Sequence, residues 1–479
     1  MILKPKDKIE NIVLMLIISI GIVSFILWFF HNPVKGLDAS LPGLDNRPLI
    51  DSTAIDSVII GEKFKEYGTF SSGLTGKWTR FRGAEFDNIY KGNEKLIEKF
   101  DTAGPTILWS VEMGEGHAAP VIYNGRVYVL DYDERKRNDA LRCFSLETGN
   151  ELWRRWYSVK VKRNHGMSRT VPAITEKYIV TIGPKCHVMC CDPVTGSLLW
   201  GIDMVKDYKA EVPLWYTGQC PLIDNDIAVL APGGSALLIG IDCKTGKVVW
   251  KTPNPGNMKM SHSSVMPMTF AGKKMYIYAA IGGVCGISAE GGDRGKILWR
   301  QNKFNPSVMA PSPLVLPDGK IFLTAGYGAG AAMLQLVKNG EIFDSRVLQI
   351  YKPAEGLASE QQTPLFYKGL IFGILPKDAG SSRNQFVCTS PDDSKKILWT
   401  SSKTDRYGLG PYIIADGKFF ILSDDGELSI AKASTTGFVF LDKTKIMDGQ
   451  DAWGPMAIAD GRLLLRDSKL LVCIDIRKK

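Results

Sequence analysis

Residues 120–153, PVIYNGRVYVLDYDERKRNDALRCFSLETGNELW, decide the fold. A short apolar run meets an Asn-Gly pair at Asn124-Gly125, and a second run, VYVL, follows it. Asn-Gly favours the positive φ angles of a tight hairpin. A charged loop, a third run (LRCFSL), a Thr-Gly turn and a fourth run ending in Trp153 complete the stretch. Apolar residues alternate on both sides of the turns, which is the period of a strand with one buried face. The stretch therefore predicts a four-stranded antiparallel meander.

The rest of the chain repeats it. A proline opens each copy, at Pro120, Pro172, Pro221, Pro267, Pro313, Pro364, Pro411 and Pro455, with intervals of 44 to 52 residues. A second series marks the far end of the units: ETGNELW to Trp153, VTGSLLW to Trp200, KTGKVVW to Trp250, RGKILW to Trp299 and SKKILW to Trp399. The units from Pro313 and Pro411 have DSRVLQI and TTGFVFL there instead. Four strands per unit at this period predict an all-β, eight-bladed β-propeller. The eighth unit lacks a tryptophan strand, whereas an orphan one, ILWSVEM with Trp109, precedes the first. That strand is expected to complete the last blade, which removes a free edge and joins the chain ends.

These D/E-x-x-T-G-x-x-x-W blade ends resemble the tryptophan-docking repeats of the pyrroloquinoline-quinone (PQQ)-like propeller family. That family includes quinoprotein alcohol dehydrogenases and the propeller lipoprotein of outer-membrane protein assembly. The resemblance runs from Gly104 to the end, and WTRFRG (Trp78–Gly83) is similar to the family's lead-in. It implies docking roles for Trp109, Trp153, Trp200, Trp250, Trp299 and Trp399. A propeller is a platform, so the resemblance specifies fold more closely than function.

The chain has 479 residues, 45% hydrophobic and 23% charged, with a formal net charge of +9. No block of lysine and arginine stands out, which argues against a nucleic-acid partner. Residues 1–11 carry three lysines, and residues 12–30 form an uncharged run ending in Trp28, Phe29 and Phe30. As a helix that run reaches about 28 Å, close to the thickness of a bilayer core. Lysines before it and aromatics at its far end predict a single-pass anchor in the cytoplasmic membrane. The N-terminus would lie inside and the propeller in the periplasm or outside. A cleaved signal peptide and a buried core helix are the competing readings; no small-x-small cleavage site is evident. Residues 31–76 read as a tether, 77–105 as a lead-in packed on the propeller and 106–479 as the propeller.

Nine cysteines follow the anchor, without a CxxC pair or a haem motif. Cys143, Cys190 and Cys473 occupy equivalent third-strand positions, where cysteine acts as a small apolar residue. The adjacent pair Cys190-Cys191 resembles the vicinal disulfide of some quinoprotein dehydrogenases, but its position in a third strand sets it away from the ring centre. Cys186, His187 and Cys190 lack a second ligand pair at a zinc spacing, so no metal site is expected.

The segments before the opening prolines carry most of the unusual chemistry. In a propeller they enter the innermost strands, so eight of them converge on one rim of the central channel. They hold the candidate ligand residues His117, His165, Arg169, Trp215, Gln219, His262, Gln361, Arg406, Asp451 and Trp453. Convergent polar and aromatic groups in a concavity suit a ligand site. Arginines can pair an anion, and histidines titrating near neutrality would make affinity sensitive to acidification. The alternative is solvated loop chemistry with hydrogen bonds between blades. The resemblance raises PQQ with calcium as a cofactor. Arg169, Arg406, Trp215 and Trp453 would face the quinone, and Glu360, Asp405 and Asp451 would offer oxygens to the metal. The family's calcium ligands, catalytic aspartate and capping insertion have no counterpart by motif. The sequence thus supports a membrane-anchored binding or scaffold propeller, with a protein partner or small ligand at the funnel and no assigned cofactor or catalytic residue. The alternative is a PQQ-dependent oxidoreductase.

Overall fold

The computed structural model describes residues 5–31, 58–102 and 104–478, and the chain divides into two compact units, 1–57 and 58–479. In the first, Pro5–Phe30 is one α-helix. Its segment Ile12–Phe30 has a mean hydropathy of 2.9 and buries none of its side chains. It is long and apolar enough to cross a membrane. Most of the expected tether lies outside the described residues. Within its last part is a short piece of structure: Lys63–Glu66 pairs antiparallel with the outer strand of the first blade, from Lys63↔Trp156 to Glu66↔Trp153. Four exposed residues, KFKE, carry no periodic signal; the free edge of blade 1 supplies their hydrogen-bond partners.

The second unit is the eight-bladed propeller. Blade 1 runs inside to outside through Val121–Tyr123, Arg126–Asp133, Asn138–Ser145 and Glu151–Ser158. The next six blades begin with inner strands at Ala173–Ile174, Leu222–Asp224, Met266–Phe270, Leu314–Val315, Leu365–Tyr367 and Tyr412–Ala415. Blade 8 comprises Ala457–Ala459, Arg462–Arg466, Leu470–Asp475 and, from before the first blade, Thr106–Glu112. Cys473 faces Trp109 in the last pairing, so the ring closes through the strand that the sequence left over.

The tryptophans explain the small third-strand residues. Across the outer strand pair, Trp109, Trp153, Trp200 and Trp399 face Cys473, Cys143, Cys190 and Cys388. Trp250 and Trp299 face Gly240 and Gly286. A Cβ on either glycine would lie within 2.1 Å of the indole. Four of the rings, Trp109, Trp153, Trp200 and Trp250, also cover the turn glycine of the following blade, Gly149, Gly196, Gly246 and Gly295. Such a Cβ would meet Trp109 at 2.7 Å from Gly149 and Trp153 at 2.9 Å from Gly196, and both glycines have positive φ. Three indole N–H groups reach a carbonyl of the next blade's turn, Trp109 to Leu146 at 2.9 Å, Trp200 to Cys243 at 2.8 Å and Trp399 to Thr435 at 3.3 Å, whereas those of Trp153, Trp250 and Trp299 dock without a hydrogen bond. The T-G-x-x-x-W spelling is thus one device seen twice: the glycine receives the previous blade's ring, and the tryptophan reaches the next blade. All nine cysteines are buried and unpaired. Cys190 and Cys191 pack into different apolar clusters, because neighbours on a strand point to opposite faces.

A second stitch runs around the inner rim. The amide of Val171 donates to Cys220 Sγ (3.2 Å), that of Cys220 to Ser264 Oγ (2.9 Å), that of Ser264 to Ser312 Oγ (2.9 Å) and that of Ser312 to Thr363 Oγ1 (2.8 Å). Five successive blades are linked amide to side chain, which satisfies buried donors where no strand neighbour exists.

The lead-in enters the channel from the opposite face. Lys77–Trp78 pairs with the inner strand of blade 1, and Ile89–Tyr90 runs parallel to that of blade 7. Between them, Thr79 accepts from the Ile174 amide at 2.9 Å. The fully buried Arg82 guanidinium donates to Thr363 O (2.7 Å) and Pro364 O (2.9 Å) on blade 6. Two short strands joined by a run of turns, with Arg82, Phe86 and Asn88 at positive φ, thus span the channel below its mouth.

Candidate functional site

Above that segment lies a cavity of about 350 Å³, within the range of small-ligand sites. Seven of the residues singled out from the sequence line it: His117, His165, Arg169, Trp215, His262, Gln361 and Trp453. They stand on the connections into blades 1, 2, 3, 4, 6 and 8. Three others do not line it. Gln219 is fully buried, and its amide group donates to Ala231 O (2.8 Å) and accepts from Ala231 N (2.9 Å); it holds the start of blade 3. Arg406 turns outward to the carbonyls of Ser381, Arg383 and Lys403. Asp451 stays at the rim, 3.9 Å from His165 Nδ1.

Phe81, Tyr327, Glu360, Gln362 and Lys377 also line the cavity. Tyr327 follows the second strand of blade 5, and Lys377 the second strand of blade 6. Hairpins between second and third strands open on the same face as the connections between blades. That topological rule is the signal that would have found these two residues. Phe81 comes from the lead-in and closes the cavity from below.

The mouth is built under backbone strain. His165, Trp215, Tyr216, Tyr327 and Asp451 all have positive φ, between 52° and 71°. For non-glycine residues this conformation costs about 1–2 kcal/mol each, and bulky side chains seldom adopt it. Local bonds hold it in place. Glu115 pairs with Arg163 at 2.8 Å and accepts from the Gly166 amide at 3.0 Å, fixing the loop that carries His165. The Tyr216 hydroxyl donates to Lys162 O beside Trp215. Gln362 Nε2 donates to Trp453 O at 2.8 Å.

Two aromatic walls result. Trp215 and Tyr327 lie nearly parallel, 11° apart with centroids at 5.7 Å. Trp453 stacks on His117 at 4.8 Å, and His165 meets its edge at 5.0 Å. Buried polar atoms lack partners here: both His117 ring nitrogens, Arg169 Nε, Glu360 Oε2 and Trp453 Nε1. Burial pulls Arg169 down to about 10. Burial, then the charge of Arg169, pushes His117 down to about 3 and His262 to about 4. Both histidines are therefore neutral at physiological pH. Burial raises Glu360, against the opposing pull of Lys377. Two cationic side chains, Arg169 and Lys377, and one carboxyl, Glu360, line the cavity.

A family model described as outer membrane protein assembly factor BamB matches residues 87–207, 137–332 and 184–439. Together these matches cover well over half of the chain. The chain belongs to this family. Among curated proteins none matches it. Among solved structures, BamB from Moraxella catarrhalis is similar, with a TM-score of 0.51 and 11% identity over 78% of this chain and 99% of that one. A europium-containing methanol dehydrogenase reaches 0.53 with 12% identity, covering 83% and 89%. The computationally designed Ika8 protein reaches 0.50 with 11%, covering 77% and 99%. An assembly factor, an enzyme and a design share the architecture, so these likenesses speak for the fold alone.

Calcium with PQQ does not fit this BamB-family mouth. Calcium takes six to eight oxygens, commonly carboxylates. Glu360 is the one carboxyl lining the cavity, Asp405 is bonded to Ser402 Oγ at 2.6 Å, and no cluster of three or more His, Cys, Asp or Glu side chains occurs among the described residues.

Proposed function

We propose that this protein is a membrane-tethered, extracytoplasmic binding module that holds a ligand or a segment of a partner protein at the mouth of its propeller. The observation that carries the reading is the floored cavity, walled by strained aromatic residues and edged with unpartnered buried polar atoms. Such atoms are costly without a partner, and strained bulky residues cluster where function requires them. The family's description names a factor in outer membrane protein assembly, in keeping with a module that works on partners. The exposed apolar helix supports the tether.

A photo-crosslinking residue at position 327, in cells, tests the mouth. An adduct is expected there and not from position 124 on the opposite face, and Arg169→Ala should diminish it. No adduct, or equal adducts from both faces, refutes the reading. A C-terminal epitope should be accessible while the cytoplasmic membrane is intact; exposure only after its rupture reverses the orientation. Stoichiometric uptake of PQQ with calcium and dye-linked alcohol oxidation would establish the oxidoreductase alternative instead.

A further inference from the structure

We propose that the channel mouth is a metal-independent site for a small, flat organic anion, with Arg169 as its charge partner. The inference rests on the mouth being the binding site and names what binds there.

Arg169 sits in the wall of a cavity between blades, and no carboxylate lies within ion-pair distance of it among the described residues. Its bond to a partner is to a neutral carbonyl, that of His165, while its Nε has none. A guanidinium drawn out of water is expensive; Asp451 and Glu115 act on this one only from beyond ion-pair distance, and the same group takes a carboxylate bidentately. Lys377 lines the same cavity, its ammonium 5.9 Å from the Tyr327 ring centre. His117 and His262 are held neutral by burial beside Arg169, so they serve as hydrogen-bonding groups and add no competing charge. Glu360, 7% exposed, faces inward with one unpartnered oxygen. As a neutral carboxyl it donates to an anion; ionised, it repels one.

Flatness follows from the walls. The stacked, near-parallel Trp215 and Tyr327 rings form one aromatic wall, and the Trp453–His117 stack forms a second. Faces of this kind recognise planar ligands. Metal independence follows from the donors: one carboxyl, three imidazoles and amide groups cannot supply the oxygens of a hard cation.

The test uses the full chain in detergent and follows tryptophan fluorescence. Naphthalene-2,6-dicarboxylate is the probe, and its uncharged diamide is the shape control. The dicarboxylate should bind and the diamide should not, with the same affinity in calcium and in chelator. Arg169→Gln should weaken the probe by about tenfold or more while leaving the melting temperature within about 2 °C. Glu360→Gln should strengthen it at alkaline pH. Equal binding of the diamide would keep the mouth as a binding site but overturn the anion. A strict calcium requirement would overturn metal independence. Failure of the dicarboxylate to bind, or full affinity in Arg169→Gln, would overturn the proposal, whereas the crosslinking result judges the mouth itself.

Discussion

Replacing Asp139 with Asn should make the propeller progressively more stable than the native protein as pH rises. Asp139 lies in blade 1, facing blade 2, and is 1% exposed. It accepts one hydrogen bond, from Tyr157 Oη at 2.5 Å, and its other oxygen has no partner. Gly183 of blade 2 approaches so closely that a Cβ there would lie 2.1 Å from the carboxyl. Burial raises its pKa to about 7 from 3.8, and Asp131 adds to the rise. The folded state therefore keeps a proton that the unfolded chain releases above about pH 4. Native stability from this group is whole below that point, declines as pH rises and levels off above about pH 7. Three units correspond to about 4 kcal/mol at about 1.36 kcal/mol per unit. Asn cannot ionise, so the advantage of Asp139→Asn should grow by that amount across the window. Its unpaired amide N–H costs about 1–3 kcal/mol at every pH and shifts the curve without bending it. A propeller of about 420 residues unfolds with roughly 0.9 kcal/mol per kelvin, so the difference in Tm should widen by about 4 °C. Scanning fluorimetry of both full-length proteins from about pH 4 to pH 8 measures it. Parallel profiles, or a mutant that loses ground as pH rises, would refute a buried, protonated Asp139.

Trp153→Ala should lower stability by about 3–5 kcal/mol, and Trp200→Ala by less, because Trp153 is 3% exposed whereas Trp200 is half-buried; equal losses in thermal melts would contradict docking between blades. Gly196→Ala should cost about 1–3 kcal/mol, since its φ is 68° and the new Cβ would lie 2.6 Å from Phe64; an unchanged Tm would count against that packing. Tyr327→Gly should hold or raise Tm by about 1 °C by relieving strain, yet weaken the dicarboxylate probe, and undiminished probe binding would remove Tyr327 from the site.

Much of the candidate site was legible because propeller topology turns sequence position into spatial position. Any residue just before an opening proline reaches the channel rim, which is why His117, Arg169, Trp215 and Trp453 could be gathered across more than three hundred residues. The same rule misled for Gln219 and Arg406. Both lie in those segments, but side-chain direction depends on which backbone groups nearby need partners: Ala231 takes Gln219, and the carbonyls of Ser381 and Arg383 take Arg406. Tyr327 and Lys377 were missed because the hairpins carrying them were not counted as part of the rim. Phe81 was missed because nothing in WTRFRG says that the lead-in enters the channel.

By itself the sequence determined the all-β class, the eight blades, the closing role of the Trp109 strand and an apolar helix long enough to span a bilayer. These follow from periodicity and from residues whose local conformation is forced: a glycine where φ must be positive, a tryptophan at six of the eight returns of the pattern. Tertiary structure alone decided that Lys63–Glu66 caps blade 1, that Arg82 anchors a segment across the channel, that amides and hydroxyls link the inner rim, and that burial beside Arg169 keeps His117 and His262 neutral. Each depends on partners far away in the chain, and hydrogen-bond satisfaction and desolvation are properties of the assembled surroundings, which no local pattern encodes.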